Sequence, residues 1–398
     1  MIRLALAALL TAAPALAQTI PPRGTAGTID VASWNIEHFG GTSGPSNDAL
    51  QVQNAEEVLR DADIDLWALQ EIKDSGDFDV MIADLADQGL QAVLGPSVSS
   101  SPSFNLRLAY VYDPAVVEVI YVREVPTSFL SPSNFAGRPP LEMKARLSLP
   151  GTEPFTVYVL ALHAKCCSDT DSYEQREAGA TQLKSYTDML VAQGIDVIVL
   201  GDFNDRLNQS ITSGRLSPYR PFLTDSDTYR FATEELDSNN TPTFCSNSSC
   251  TSGSPIDHIL FTADLFERYV EGSGDRYIEL VSTVSGYTGT TSDHLPVVAQ
   301  FSATPVAAET VPAATFELRA APSPFGSRTT VHLALPEAAP LTAELYDALG
   351  RRVRAWDEGD RAAGAHRIHV SGDGLAPGVY TLRLVAGDRQ ATHRLVRR

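Results

Sequence analysis

Positive charge is scarce in this 398-residue chain, where 30 Lys and Arg face 49 Asp and Glu for a net charge of −19. Such a chain lacks the broad basic footprint with which proteins hold polyanions, and it is repelled by anionic lipid. The deficit is uneven. From Arg319 to the C-terminus 12 Arg outnumber 8 Asp and Glu, giving +4 and leaving −23 to the rest of the chain. Acidity does not exclude an enzyme acting on phosphates, because a bound divalent cation supplies locally the charge that the surface lacks.

Long apolar runs are also missing. The only candidate, Met1 to Ala17, is too short to span a bilayer and has one early Arg and the small-residue ending Ala15-Leu16-Ala17. Those are the features of a cleaved export signal, so the mature product is expected to start near Gln18 and to insert stably in no membrane. Cysteine is rare: Cys166, Cys167, Cys245 and Cys250. In an exported chain disulfides are the default, and adjacent cysteines seldom bridge each other. The expected bond is Cys245 to Cys250 across the loop TFCSNSSC, or cross-links from the Cys166/Cys167 pair to that loop. Structural zinc is the alternative, but its usual ligand spacing is absent.

What is present is a folded composition, 43% hydrophobic and 20% charged, long enough for two or more domains. The organising stretch is Ile195 to Asp205, IDVIVLGDFND. Its β-branched run reads as a strand buried on both faces. Gly201 then lets the chain turn, and Asp202, Asn204 and Asp205 arrive at the strand mouth, where open α/β sheets keep their sites. The same event recurs. Ile29–Asn35 delivers Asn35, Glu37 and His38; Ile64–Leu69 ends at Gln70-Glu71; Phe155–Leu162 stops at His163; Asp257 heads the strand DHILF; and Asp293-His294 precedes the strand LPVVAQF. Helices are predicted over 47–61, 78–89 and 175–193, strands over 106–112, 116–122 and 278–284, and a long loop with short elements over 208–253.

Each of these polar residues has a structural explanation on its own, as a turn residue, a helix cap or a satisfied core histidine. His258, beside Asp257, is read as such a bystander. Their recurrence at one end of successive strands is instead the pattern of a phosphoester-hydrolysing centre. Carboxylate oxygens suit Mg²⁺ or Mn²⁺, with Ca²⁺ left open, and the absence of a Cys/His ligand cluster disfavours zinc. Two histidines allow one to orient or deprotonate while the other protonates a leaving group, and an Asp beside a His fixes its tautomer and holds it charged.

WNIEHF at Trp34–Phe39, LQE at Leu69–Glu71, LHAK at Leu162–Lys165, GDFN at Gly201–Asn204, IDHI at Ile256–Ile259 and SDHLPV at Ser292–Val297 resemble, in order and spacing, the endonuclease/exonuclease/phosphatase superfamily, which includes deoxyribonuclease I relatives. The resemblance covers about Thr28 to Phe301. It implies a four-layer α/β sandwich with the active site at one edge of two central sheets. By carry-over Glu71 is the main metal ligand, with Asn35 and Asp293 near it. Asp202 and Asn204 position water and phosphate, His294 pairs with Asp257, His163 contacts phosphate or leaving group, and Arg107 offers a guanidinium to a phosphate.

After the Pro/Ala/Thr linker 304–315, residues 316–398 show short alternating segments divided by turn signals, the pattern of an all-β sandwich of about seven strands. APSPF from Ala321, LYDALGRRV from Leu345, AGAHRIHV from Ala363, LAPGVYTLRL from Leu375 and the closing ATHRLVRR resemble the C-terminal sorting domain of type IX secretion cargo. The expected organisation is thus an export signal over 1–17, a catalytic domain over 18–303, the linker, and the tail. The expected product is a monomeric, secreted or cell-surface nuclease acting on DNA or RNA, with Arg107, Arg138, Lys144, Arg146 and Lys165 lining its cleft and the type IX machinery as a partner. The alternative is a secreted phosphodiesterase or phosphatase acting on lipid headgroups, as sphingomyelinases do, or on small phosphoesters, with 128–135 as a modest membrane-facing hairpin.

Overall fold

The computed structural model describes residues 19–398 except 42, 100–104, 305–317, 322, 336, 349 and 388. The predicted export signal, and all of the linker but its first residue, lie outside the described residues.

Two six-stranded sheets face each other. The first is built from β1 (Thr28–Phe39), β2 (Leu66–Ile72), β3 (Gln91–Leu94) and β4 (Arg107–Tyr112), and the second from β5 (Val117–Glu124), β6 (Leu141–Leu147), β7 (Phe155–His163), β8 (Asp196–Asp202) and β9 (Tyr229–Phe231). A short ribbon, β10 (Phe244–Cys245) and β11 (Gly253–Ser254), then precedes β12 (Asp257–Thr262) of the second sheet and β13 (Asp275–Arg276) and β14 (Val297–Ser302) of the first. The strand orders are β13-β14-β1-β2-β4-β3 and β5-β6-β7-β8-β12-β9. Each sheet contains one parallel pair, β1/β2 and β7/β8, and each pair is joined through a helix, α1 (Asp48–Asp61) or α3 (Thr170–Val191). Helix α2 (Ser75–Ala86) joins α1 outside the first sheet.

Period-two burial explains the layers. In β1, Val31 points between the sheets with Leu66, Val159 and Leu200, whereas Ala32 and Trp34 point outward to Val58 and Leu59 of α1. In β8, Ile198 and Leu200 face the inter-sheet core while Val197 and Val199 meet Leu183 and Tyr186 of α3. The sequence of layers is helices, sheet, sheet, helix, the four-layer α/β sandwich expected.

The tail forms a separate core between a three-stranded and a four-stranded antiparallel sheet, with Val331, Leu345, Ile368, Leu382 and Leu395 at its centre. Its seven strands run from Leu318–Ala321 to Arg389–Arg397. It touches the catalytic unit where Ser327 N and Oγ donate to Asp227 Oδ2, 3.2 and 3.1 Å, and where His332 and Arg367 meet Glu267. Asp227 and Glu267 lie toward the Thr262 end of β12, away from Asp257.

Several local expectations shift. Helices α2 and α3 begin earlier than their apolar periodicity, because the Asp74 and Asp169 side chains cap backbone amides upstream of it. The strand predicted over 278–284 is a helical turn, Leu280–Thr283: Leu280 and Val284 are both buried, and four-residue spacing serves that better than alternation. Strands β3 and β6 carry no isolated sequence signal. Cys245 and Cys250 are disulfide-bonded, and Cys166 and Cys167 remain thiols, so the cross-links considered between the two regions are not formed.

Candidate active site

The parallel strands β1, β2, β7 and β8 all end at one edge, and β12, antiparallel to β8, begins there with Asp257 opposite Asp202. The loop before β14 closes the group: Ser292 Oγ donates to Asn35 O at 2.6 Å and accepts from His294 N at 3.0 Å. Gly201 makes the approach possible, since a Cβ there would lie 1.9 Å from Leu162 O. Glu71 and Asn204 hold positive φ, 65° and 50°, the strained backbone that functional sites tolerate.

Asn35 Nδ2 donates to Asp202 Oδ2 at 3.0 Å and to Glu71 Oε1 at 3.3 Å. Asn204 donates to the same carboxylate through Nδ2 at 3.0 Å and through its backbone N at 2.8 Å. His163 Nε2 stands 3.6 Å from Asp202 Oδ2 and 3.7 Å from Glu71 Oε1. His294 Nδ1 meets Asp257 Oδ2 at 2.9 Å, and its Nε2 is 3.9 Å from Asp293 Oδ1. The disulfide-closed ribbon buttresses this last pair, with Cys245 N donating to Asp293 O and the Phe244 ring 5.2 Å from that of His294. Eight of the nine residues proposed from sequence thus meet around one cluster. Arg107 stands opposite Ile72, the neighbour of Glu71.

The two imidazoles are pushed apart. Burial, with Arg138 and His294 nearby, holds His163 well below the ordinary histidine value, so it is neutral. Burial opposes charge on His294 too, but Asp257, Asp202 and Asp293 outweigh it and hold it well above that value. Burial and then Asp257 raise Asp202 to about 7, and burial, Asp293 and Glu71 raise Glu37 to about 7. Carboxylates this crowded call for a cation. Asn35 Oδ1 and Asp257 Oδ1 are buried without a partner, and carboxylate oxygens of Asp202 and Asp257 lie within 4.8 Å of each other and of a His294 ring nitrogen. The donor set is oxygen-rich, which fits a hard divalent ion.

Sequence reasoning undervalued two residues. Glu37 shares the face of Asn35 two positions on, a period-two signal that was available, and its Oε2 accepts from Asp293 N at 3.2 Å. Arg138 is buried, reaches His163 O and Ala164 O at 3.4 Å, and feels Glu71 and Asp202. It enters from the loop before β6; the sequence names it as a cleft cation, and the structure adds that it is buried beside His163. Two of the cations assigned to the cleft do not reach it. Lys144 lies over the Tyr158 ring and Arg146 pairs with Glu118; Tyr158 is five residues before His163 along β7, roughly 16 Å away.

Residues 32–294 match the Endonuclease/Exonuclease/phosphatase family. Among solved structures, the chain is similar to the endonuclease/exonuclease/phosphatase from Beutenbergia cavernae DSM 12333, at 16% identity over 92% of this chain and 100% of that one with a TM-score of 0.50, a likeness of fold. It also matches the human Nocturnin catalytic domain with bound sulfate anion, at 18% identity, 71% and 99% coverage and TM-score 0.46. A 3′ phosphatase from Neisseria bound to product DNA hairpin matches at 17%, 69% and 99%, with TM-score 0.49. No curated protein matches. The family match spans every strand end that carries this cluster, and on that ground the chain belongs to the endonuclease/exonuclease/phosphatase family and is a metal-dependent phosphoester hydrolase.

Proposed function

We propose that the protein is an exported nuclease that hydrolyses phosphodiester bonds of DNA, with RNA as the related substrate, using Mg²⁺ or Mn²⁺. The observation that carries this reading is a pair of buried imidazoles in one carboxylate cluster, His163 Nε2 3.6 Å from Asp202 Oδ2 and His294 Nδ1 2.9 Å from Asp257 Oδ2, whose surroundings bias them in opposite directions. Glu71, with Asn35 and Asp293, would hold the metal, which when bound neutralises charge on the phosphoryl oxygens. Asp202 and Asn204 orient the attacking water, and Asp202 takes its proton. Neutral His163 and buried Arg138 hydrogen-bond phosphoryl oxygens. Charged His294, steadied by Asp257, donates toward the leaving oxygen.

A nucleic acid is favoured over a lipid because 128–135, the candidate membrane-facing hairpin, is turned inward. Leu130 and Phe135 are buried against α3, and of its apolar side chains only Phe129 is exposed. Among the described residues no helix is long and apolar enough to cross a membrane. The basic tail, resembling type IX sorting domains, is proposed to direct outer-membrane passage of a monomeric product.

The test is a substrate panel: plasmid DNA, RNA, sphingomyelin and an inositol phosphate, each with Mg²⁺ and with chelator. Mg²⁺-dependent DNA cleavage supports the reading. Hydrolysis of sphingomyelin or the inositol phosphate with DNA left intact moves the assignment to the other substrate class. Retention of a 316–398 deletion inside the outer membrane of a type IX-competent host supports the sorting role, and normal release removes it.

A further inference from the structure

Directly after His163, Ala164 and Lys165 come two exposed thiols, Cys166 and Cys167, whose Sγ atoms are 2.8 Å apart. Atoms in van der Waals contact settle at about 3.5–4 Å, and two sulfurs on one tetrahedral zinc at about 2.3 Å would stand roughly 3.8 Å apart. The observed separation is shorter than either and lies toward the ~2.05 Å of a disulfide. Cys167 has φ +86°, a left-handed conformation in which a non-glycine residue is strained. That strain is maintained by the surroundings. Arg176, buried and paired with Asp205 at 2.9 Å, donates to Lys165 O at 3.0 Å and Cys167 O at 2.6 Å. On the other side Arg138 and Asn204 hold Ala164 O, and Asp169 caps α3 just beyond.

We propose that Cys166 and Cys167 form a reversible oxidation site, closing to a vicinal disulfide by exchange with a low-molecular-weight disulfide. Cys166 is the first nucleophile, because Lys165 Nζ lies 3.6 Å from its sulfur, whereas burial raises the Cys167 thiol above its ordinary value. Its sulfur attacks the small disulfide, forming a mixed disulfide and releasing one small thiol. The Cys167 thiolate then attacks the Cys166 sulfur and expels the second small thiol. Two protein thiols are oxidised, one external disulfide is reduced, and the two protons leave on the released thiols. Cα atoms about 3.8 Å apart across one trans peptide fall short of the usual ~4.4–6.8 Å of a disulfide, so the bond is easily reduced again. Closure stiffens the segment that carries Lys165 and the carbonyls holding Arg138 and Asn204.

The experiment treats the reduced full-length protein with oxidised glutathione, alkylates it with N-ethylmaleimide, digests it with trypsin and weighs the peptide Cys166–Arg176. The expected product is lighter than the dithiol peptide by two hydrogens, carries no maleimide, and regains two sites after mild reduction. Cys167→Ser is expected to stop at a stable glutathione adduct on Cys166. Two maleimides after oxidant treatment, a persistent glutathione adduct in the unaltered protein, or a disulfide joining two chains each overturns the proposal. The outcome is independent of substrate, so it stands apart from the nuclease assignment.

Discussion

The two sandwiches of this molecule are built by the same rule and filled differently. Between and around the catalytic sheets, apolar layers alternate with buried Asn35, Asp202, Asp257, His163 and His294 at one edge, and with the fully buried Arg176–Asp205 pair. In the tail the described buried residues are apolar apart from Thr329, and its charges lie on the surface. Burying uncompensated charge costs several kcal/mol per group, so a fold does it where chemistry requires it. The tail is packing alone, and the catalytic unit surrenders stability to hold ionisable groups in a dry place.

That contrast can be broken from either side. The largest effect is expected from Glu71→Gln and His294→Ala, each lowering the rate by about 10³-fold or more; the melting temperature stays level or rises for Glu71→Gln and falls for His294→Ala, which leaves buried Asp257 without its partner. Initial rates and thermal unfolding of the same samples check it, and a variant with near wild-type turnover would remove that residue from the site. The converse change, Leu382→Ala in the tail core, is expected to cost the tail about 2–5 kcal/mol and leave turnover unchanged. Gly201→Ala joins the two, because its Cβ collides with Leu162 O; about 1–3 kcal/mol of stability should go together with activity.

The pH dependence follows from the same buried groups. Asp202, Glu37 and Asp65 have folded values near 7, far above their unfolded values, so the native state binds more protons between about pH 4 and 7. Metal-free protein should therefore lose stability as pH rises through that window, at up to about 1.4 kcal/mol per pH unit for each group. His294 acts in the same direction at higher pH: raised above its unfolded value, its contribution is complete below about 6.5 and is lost as pH rises through its folded value. Melting curves in chelator should show the decline, Asp202→Asn should flatten it, and a profile rising from pH 4 to 7 would contradict the burial argument. The smallest effect concerns the cleft rim. Lys165→Ala or Arg107→Ala is expected to reduce the salt slope of DNA cleavage by about one, whereas Lys144→Ala and Arg146→Ala leave it unchanged.

Much of this was legible because the signals are local. A β-branched run that stops at Gly201 and yields Asp202 and Asn204 states in consecutive residues that a core strand ends at a polar mouth, and WNIEHF and SDHLPV do the same. The tail's alternation and turns likewise announce seven strands before any pairing is known. Strand β6 was not legible: three of the seven residues of LEMKARL are charged, and its Glu142 is buried only because Tyr121, Arg123 and Tyr186 converge on it from β5 and α3. Arg138 was legible as a cleft cation, but its burial beneath His163 depends on the loop leading into β6. The placement of Lys144 and Arg146 away from the cleft is set by their register with β7.

Chain chemistry alone thus decides which residues can leave a strand as ligands, because hydrophobic period, glycine freedom and side-chain type act over a few neighbours. Sheet pairing decides which of those residues share a cavity, which imidazole is charged and which cation reaches the phosphate. Those properties depend on distances between segments far apart in the chain, and on the burial that exists only once two sheets have closed on each other.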